Sequence, residues 1–183
     1  PDFEKMGKEK AAKWLGLWDP SVYLPRAKMP MLWITGPNDF AYPPDSWQKS
    51  YRLPKGPRTL SLRVGMLHGH GGAGENPEEI HAFVESILNK KEPPVKVTGQ
   101  GRKGRHVWVS FNAKVPVAKA ELNFTRDSGP WQKRKWEIIP AELDIAKSRV
   151  AAALPDGATV YYVNLIDLRD LYISSEHVDL SAK

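Results

Sequence analysis

The strongest constraint on the fold is a change of hydrophobic periodicity at residues 90–94, where Lys-Lys-Glu is followed by two prolines. Before this segment, apolar residues recur at helical and strand spacings in alternation. After it, short strand patterns are separated by clusters of Gly, Pro, Asp and Asn. We therefore predict two domains, one spanning residues 1–91 and the other residues 92–183.

The first domain is predicted to alternate helices and strands. Helical patterns cover residues 3–16, 45–51 and 77–89, and strand patterns cover residues 31–35 and 60–64. The first strand is a continuous apolar run, which is typical of a strand covered on both faces of a parallel sheet. The connection between the strands is long and contains a helix, which favours a right-handed parallel crossover over a hairpin.

The third predicted helix has a strong start signal. Asn76 is a cap residue, Pro77 occupies the first helical position, and two glutamates follow in the first turn. Its spacing predicts one buried apolar face, formed by Ile80, Phe83, Val84, Ile87 and Leu88.

The second domain is predicted to be all strand. Seven short strands over one small domain are typical of an antiparallel β-sandwich, here of the fibronectin type III-like kind. The strand patterns cover residues 95–98, 107–111, 119–125, 134–139, 149–154, 159–166 and 172–180.

Composition narrows the function classes. The 183 residues are 41% hydrophobic, enough for a sizeable core, and no apolar run approaches the roughly 18 residues of a membrane span. The absence of cysteine excludes disulfides, thiolate metal sites and a cysteine nucleophile, but leaves the cellular compartment open. The net charge of +6 includes two basic clusters, at residues 102–105 and 133–135, which we interpret as a hairpin loop and a solvated strand end. Neither a nucleic acid nor a membrane is an expected partner.

Titratable residues follow both strands of the first domain. Asp39 lies in a loop after the apolar strand, and His68 and His70 lie in a glycine-rich loop after the alternating strand. Loops at the carboxyl ends of parallel strands meet at one edge of the sheet, so these side chains are predicted to converge. A carboxylate that orients an imidazole forms the acid and base part of a nucleophilic triad. We choose His68 over His70 because it is nearer the strand end.

The sequences MPMLWITGPNDFAYPP and LSLRVGMLHGHGGAGENPEEIHAFVESIL carry a family resemblance. Residues 24–88 resemble the carboxyl-terminal part of an α/β-hydrolase, with dienelactone-hydrolase-like and acetyl-xylan-esterase-like enzymes as the nearest types. The resemblance implies that Asp39 is the triad acid and that His68, or alternatively His70, is the base. It also implies a serine carboxylesterase, with acetylated carbohydrate as the expected substrate. The region after Pro94 resembles the small sandwich domains appended to some such esterases.

One part of that family pattern is missing. The nucleophile of such a hydrolase is a serine in G-x-S-x-G, and none of the eleven serines of this chain has that setting. The family order is serine, acid, histidine, so the nucleophile is expected on a segment before Pro1. The chain alone is then inactive, and its partner is the missing first half of the hydrolase or a second copy of the chain.

Simpler interpretations stay open at each residue. Asp39 fits a turn residue that bonds its own backbone, and the histidines fit a surface loop or, with His81, a zinc site. Phe40, Tyr42 and Trp47 are candidates for substrate binding because they follow the Asp39 loop, although a buried Trp47 is equally compatible with core packing. We expect no cofactor and no metal. The alternative function is a non-catalytic module that binds a glycan or a protein on a hydrolase-like scaffold.

Overall fold

A computed structural model describes residues 3–66, 68–69 and 76–181. The helices are α1 (Phe3–Met6), α2 (Lys8–Trp18), α3 (Pro44–Tyr51) and α4 (Glu78–Leu88). The strands are β1 (Met31–Thr35), β2 (Arg58–Leu62), β3 (Lys96–Lys103), β4 (His106–Asn112), β5 (Val117–Thr125), β6 (Glu137–Pro140), β7 (Glu142–Asp144), β8 (Arg149–Ala153), β9 (Val160–Asp167), β10 (Tyr172–Ser174) and β11 (Val178–Asp179). Short 3₁₀ turns cover Pro20–Val22, Leu24–Arg26 and Trp131–Lys133. Within the described ranges, no helix is long and apolar enough to cross a bilayer.

The first part of the fold is a small parallel sheet. β1 pairs with β2 in parallel, in a register that runs from Met31 opposite Arg58 to Thr35 opposite Leu62. This confirms the parallel connection, with α3 lying between the two strands in the chain. β2 begins earlier than predicted, at Arg58, and it ends earlier, at Leu62, because the chain turns at Val64-Gly65, where Gly65 has a φ of +83°.

The second part is antiparallel, as predicted. One sheet has the order β10-β9-β5-β6, with β11 also paired to β9, and the other has the order β3-β4-β8-β7. Three strands differ from the predicted ranges by more than two residues, and the first is β3, which was expected over 95–98 but continues to Lys103. The strand expected from residue 134 begins at Glu137, since the 3₁₀ turn at Trp131–Lys133 precedes it, and the strand expected over 172–180 is interrupted between β10 and β11. β7 has no counterpart among the predicted strands.

The main apolar core lies between the two antiparallel sheets. Alternate residues of β4 and β5 point into it, including Val107, Val109, Leu122 and Phe124, all of which are buried. β8 contributes Val150 from the same sheet as β4. Period-two alternation on both sheets therefore produces one shared apolar layer.

β9 lies between the main core of the antiparallel region and the parallel sheet. Both of its faces are therefore covered, and every residue of this strand is buried. Tyr162, on the face of β9 opposite the main core, packs into a second apolar cluster with Leu60 and Leu62 of β2. Buried hydrogen bonds beside this cluster also connect β2 to β9 and β10. The Leu62 amide donates to Ser174 Oγ at 2.7 Å, and Asn164 Nδ2 donates to the Leu62 carbonyl at 3.2 Å.

The helices depart from prediction in three ways. The helix expected over residues 3–16 is broken at Gly7, whose φ of +76° is incompatible with continuing the helix. Asn76 does not cap α4: Pro77 occupies the cap position, and the Asn76 Oδ1 contacts His81 Nε2 at 2.9 Å instead. The expected buried face of α4 is wrong as well.

Much of the apolar face of α4 is accessible to solvent. Val84, Ile87 and Leu88 are exposed, with Leu88 at 72%, and Glu79 is the buried residue of the helix. The physical reason is the size of the sheet: two parallel strands in the described residues offer little surface for a helix to cover.

Candidate active site

The parallel register brings the two predicted loops to one edge of the sheet. Thr35 and Leu62 end β1 and β2 as direct partners, so the residues that follow them start side by side. Across that edge, His68 Nδ1 lies 3.0 Å from Asp39 Oδ2. The predicted meeting of these two side chains is confirmed.

Gly36 permits this close approach. It is the first residue after β1, and a Cβ built on it would lie 1.8 Å from the carbonyl oxygen of Met66. Backbone atoms cannot yield to such a contact, and Gly36 has no left-handed φ that would require glycine for another reason. The missing side chain therefore lets the acid loop pass directly against the segment that leads to His68.

The Asp39 carboxylate is 6% exposed and uses both of its oxygens. Oδ1 accepts hydrogen bonds from the backbone amides of Ala41 at 2.7 Å and Tyr42 at 2.9 Å. Oδ2 faces His68, with Thr35 Oγ1 at 3.4 Å. Burial acts to raise the pKa of Asp39, but the two backbone amides and His68 outweigh it, so the pKa lies below its ordinary value.

An ionised Asp39 determines how the His68 ring is used. A carboxylate can only accept a hydrogen bond, so Nδ1 carries the proton and donates it to Oδ2. In the neutral form of the ring, Nε2 is then the nitrogen that can accept a proton from a substrate or nucleophile. The His68 side chain is 36% exposed, so this chemistry would occur at the protein surface rather than in the core.

Two exposed aromatic side chains flank the imidazole. The Phe40 ring meets it edge-on with centroids 5.0 Å apart, and the Tyr42 ring lies at 5.6 Å. Both rings are mostly accessible, at 69% and 61%. The predicted substrate-binding residues Phe40 and Tyr42 thus lie beside His68.

Trp47, the third predicted substrate residue, lies elsewhere. It is 5% exposed, packs edge-on against Tyr51 at 4.8 Å, and belongs to the second apolar cluster. Its indole follows the helical periodicity of α3 into the core, so the structure gives it a packing role. His70, the alternative base, lies outside the described residues.

Sequence reasoning missed Asn38, the residue before the acid. Its Nδ2 donates to the backbone carbonyls of Trp131 at 3.0 Å and Arg134 at 2.7 Å. In the sequence, Gly-Pro-Asn-Asp has the composition of an ordinary turn. No sequence signal identifies this contact, because its acceptors are backbone atoms more than ninety positions away.

His177 is a buried imidazole next to the same segment. It is 3% exposed, its ring meets Trp131 edge-on at 5.7 Å, and its Nδ1 has no hydrogen-bond partner within the described residues. Burial, followed by the charge of Arg52, lowers the pKa of His177 to about 4. The folded protein therefore holds this imidazole neutral under conditions in which the unfolded chain protonates it.

We predict acid sensitivity from His177. Between the unfolded pKa of about 6.5 and the folded pKa of about 4, only the unfolded chain binds the proton. The free energy of unfolding should therefore decline by about 3 kcal/mol as the pH falls from 6.5 towards 4. Urea unfolding at several pH values should show this slope, and H177F should flatten it. The same change at the exposed His106 is the control. An identical slope in H177F would contradict the prediction.

Comparison with known proteins gives one family. The model of the PhoPQ-activated pathogenicity-related protein family matches residues 3–127. The chain belongs to this family. No curated protein and no solved structure matches the chain. The range that matches the PhoPQ-activated pathogenicity-related family contains Asp39, Asn38 and His68, and it continues beyond the parallel sheet to the end of β5.

Proposed function

We propose that this member of the PhoPQ-activated pathogenicity-related family supplies the acid and base of a Ser-His-Asp triad in a serine carboxylesterase of the α/β-hydrolase type. The contact between His68 Nδ1 and Asp39 Oδ2 at the carboxyl edge of two parallel strands carries this proposal. Asp39 and His68 follow adjacent strands, in the order that the hydrolase resemblance implies.

The proton path follows from the tautomer. His68 Nε2 takes the proton of a serine hydroxyl as its oxygen attacks the ester carbonyl, and Asp39 stabilises the imidazolium that forms. The imidazolium then returns the proton to the departing alkoxide, which leaves an acyl-enzyme. Water, deprotonated by the same nitrogen, cleaves the acyl-enzyme, and the proton passes to the serine oxygen.

We further propose that the serine and its strand lie outside this chain. β1 pairs with β2 along one edge, and in the described part of the chain its other edge carries no strand. Four of the five β1 residues are only half-buried, and α4 leaves apolar residues exposed. Further parallel strands beside β1 would cover these surfaces and carry a G-x-S-x-G turn to the same edge as His68. A preceding segment of the protein is the proposed source, and a second copy is the alternative.

The antiparallel region fits the sandwich half of this architecture. Its two sheets share one apolar core, which is the arrangement of a β-sandwich, although β9 is also covered on its outer face. Phe40 and Tyr42 would border the bound ester, since they flank the base. Acetylated carbohydrate remains the proposed substrate on the strength of the hydrolase resemblance.

The test uses the full gene product with 4-nitrophenyl acetate and a fluorophosphonate probe. H68Q should lower kcat by about a thousandfold or more, because the serine loses its base. H81Q is the matched control, since His81 is an exposed histidine of α4 that contacts Asn76.

Three outcomes would contradict the proposal. Full activity in H68Q with loss in H70Q would show that the base is His70. Full activity in both would favour a binding module on a hydrolase-like scaffold. Serine-dependent turnover by the 183-residue chain alone would show that the nucleophile lies within it.

A further inference from the structure

The side-chain amide of Asn38 is oriented by its surroundings. The two atoms within hydrogen-bond distance of it, the Trp131 and Arg134 carbonyl oxygens at 3.0 and 2.7 Å, can only accept. The amide nitrogen must therefore face them, and both of its protons are used. Asn38 directly precedes Asp39, so this pair of hydrogen bonds fixes the backbone at the entry to the acid.

The segment that provides these carbonyls is itself held in place. Residues Trp131–Lys133 form a 3₁₀ turn, and the Arg134 guanidinium lies 3.7 Å from the centroid of the Trp131 ring. Arg134 Nε also donates to the Gly129 carbonyl at 3.1 Å. The Trp131 ring also meets the ring of the buried His177 edge-on, with centroids 5.7 Å apart. The acceptors thus belong to a segment, residues 129–134, in which half-buried Trp131 and Arg134 are held by contacts with each other, Gly129 and His177, while the other four residues are exposed.

The exit of the acid loop is attached to the same region. α3 follows the loop, and Gln48 Nε2 donates to the His177 carbonyl at 3.0 Å. Arg52, at the end of α3, forms an ion pair with Glu176. Both the entry and the exit of the Asp39 loop are therefore bonded to the antiparallel region.

We propose that the antiparallel region is a working part of the site: through Asn38, its 129–134 segment positions the Asp39 carboxylate against His68. Asn38 is a positioning residue, and it acts through the two backbone carbonyls. The catalytic meaning of this proposal rests on the proposed esterase function, whereas the positioning itself concerns the Asp39–His68 contact. It also gives the region after Pro94 a role that requires no ligand of its own.

The test is NMR on the 183-residue chain, so it needs no nucleophile. Two readouts are used: the His68 Nδ1–H resonance, and hydrogen exchange of the Ala41 and Tyr42 amides, which donate to Asp39. N38A removes both donated bonds, and N38D keeps the shape but turns a carboxylate towards two carbonyls. Both variants should broaden or remove the Nδ1–H signal and accelerate the two amides at least about tenfold. Amides of β9 should keep their exchange rates.

N89A is the matched control, because exposed Asn89 also loses a side-chain hydrogen bond, to Glu85, at a distant helix end. Unchanged Nδ1–H and amide exchange in N38A would overturn the proposal. Equal acceleration of the β9 amides would overturn it too, since Asn38 would then support the whole fold. If N38A removes the Nδ1–H signal and accelerates the Ala41 and Tyr42 amides but the full protein cleaves no ester, the esterase function fails while the positioning role of Asn38 stands.

Discussion

G36A is expected to lower the free energy of unfolding by about 3 kcal/mol or more, and to separate Asp39 from His68. The added methyl group would lie 1.8 Å from the Met66 carbonyl oxygen and 2.9 Å from its carbon. Both contacts are with backbone, so relief requires moving either the acid loop or the segment before His68. Denaturant unfolding measures the first effect, and the His68 Nδ1–H resonance measures the second.

Gly16 supplies the control for this change. It lies within α2, and a Cβ built on it meets no atom within 4 Å. G16A should therefore leave the site intact and hold stability constant or raise it by up to about 1 kcal/mol, since alanine favours helix. A G36A protein as stable as the parent, with its Nδ1–H signal unchanged, would show that the close crossing of the two loops is wrong.

If the proposed esterase function is right, D39N is expected to lower the kcat of the full-length protein for esters by about 10⁴-fold, with little change in the free energy of unfolding. An asparagine amide can donate towards Nδ1, which would place the ring proton on Nε2 and leave the base unable to accept a proton. D39N also removes the negative charge that stabilises the imidazolium. Steady-state kinetics over a range of pH separates this loss of tautomer from a loss of substrate binding, which would raise KM instead.

D45N is the matched control for D39N, because Asp45 is an exposed carboxylate in the first turn of α3, close to the same loop. It should retain parental kcat and KM. Parental kcat in D39N would remove Asp39 from the mechanism and leave its hydrogen bonds to Ala41 and Tyr42 as those of an ordinary turn.

The sequence predicted the part of the candidate site that is positioned by the ends of the two parallel strands. An apolar run ending before Asp39 and an alternating run ending before His68 were enough to place both residues at one edge, because parallel strands share the direction of their carboxyl ends. The aromatic neighbours Phe40 and Tyr42 followed from the same loop. Their catalytic and binding roles stay predictions.

Predictions of which side chains are buried were less successful, because burial depends on the elements that pack around a residue. Helical periodicity located α4, but it could not show that the face with Val84 and Leu88 would be exposed. Amphipathic spacing states which residues share a face, whereas burial needs a second surface large enough to cover that face. Trp47 shows the reverse case, since proximity in sequence to Asp39 suggested a pocket and packing against Tyr51 placed it in the core.

The sequence by itself determined the change from alternating helices and strands to antiparallel strands, the direction of the parallel strands and the acid and imidazole loops, because these features arise from local periodicity and chain connectivity. Only the tertiary structure decided that Asn38 is bonded to Trp131 and Arg134, that β9 is buried on both faces, and that Gly36 touches the Met66 carbonyl. These contacts join backbone groups and packed surfaces far apart in the chain. Every residue type has the same backbone carbonyl group, so the pattern of side chains in the sequence does not show which carbonyl groups will form these contacts.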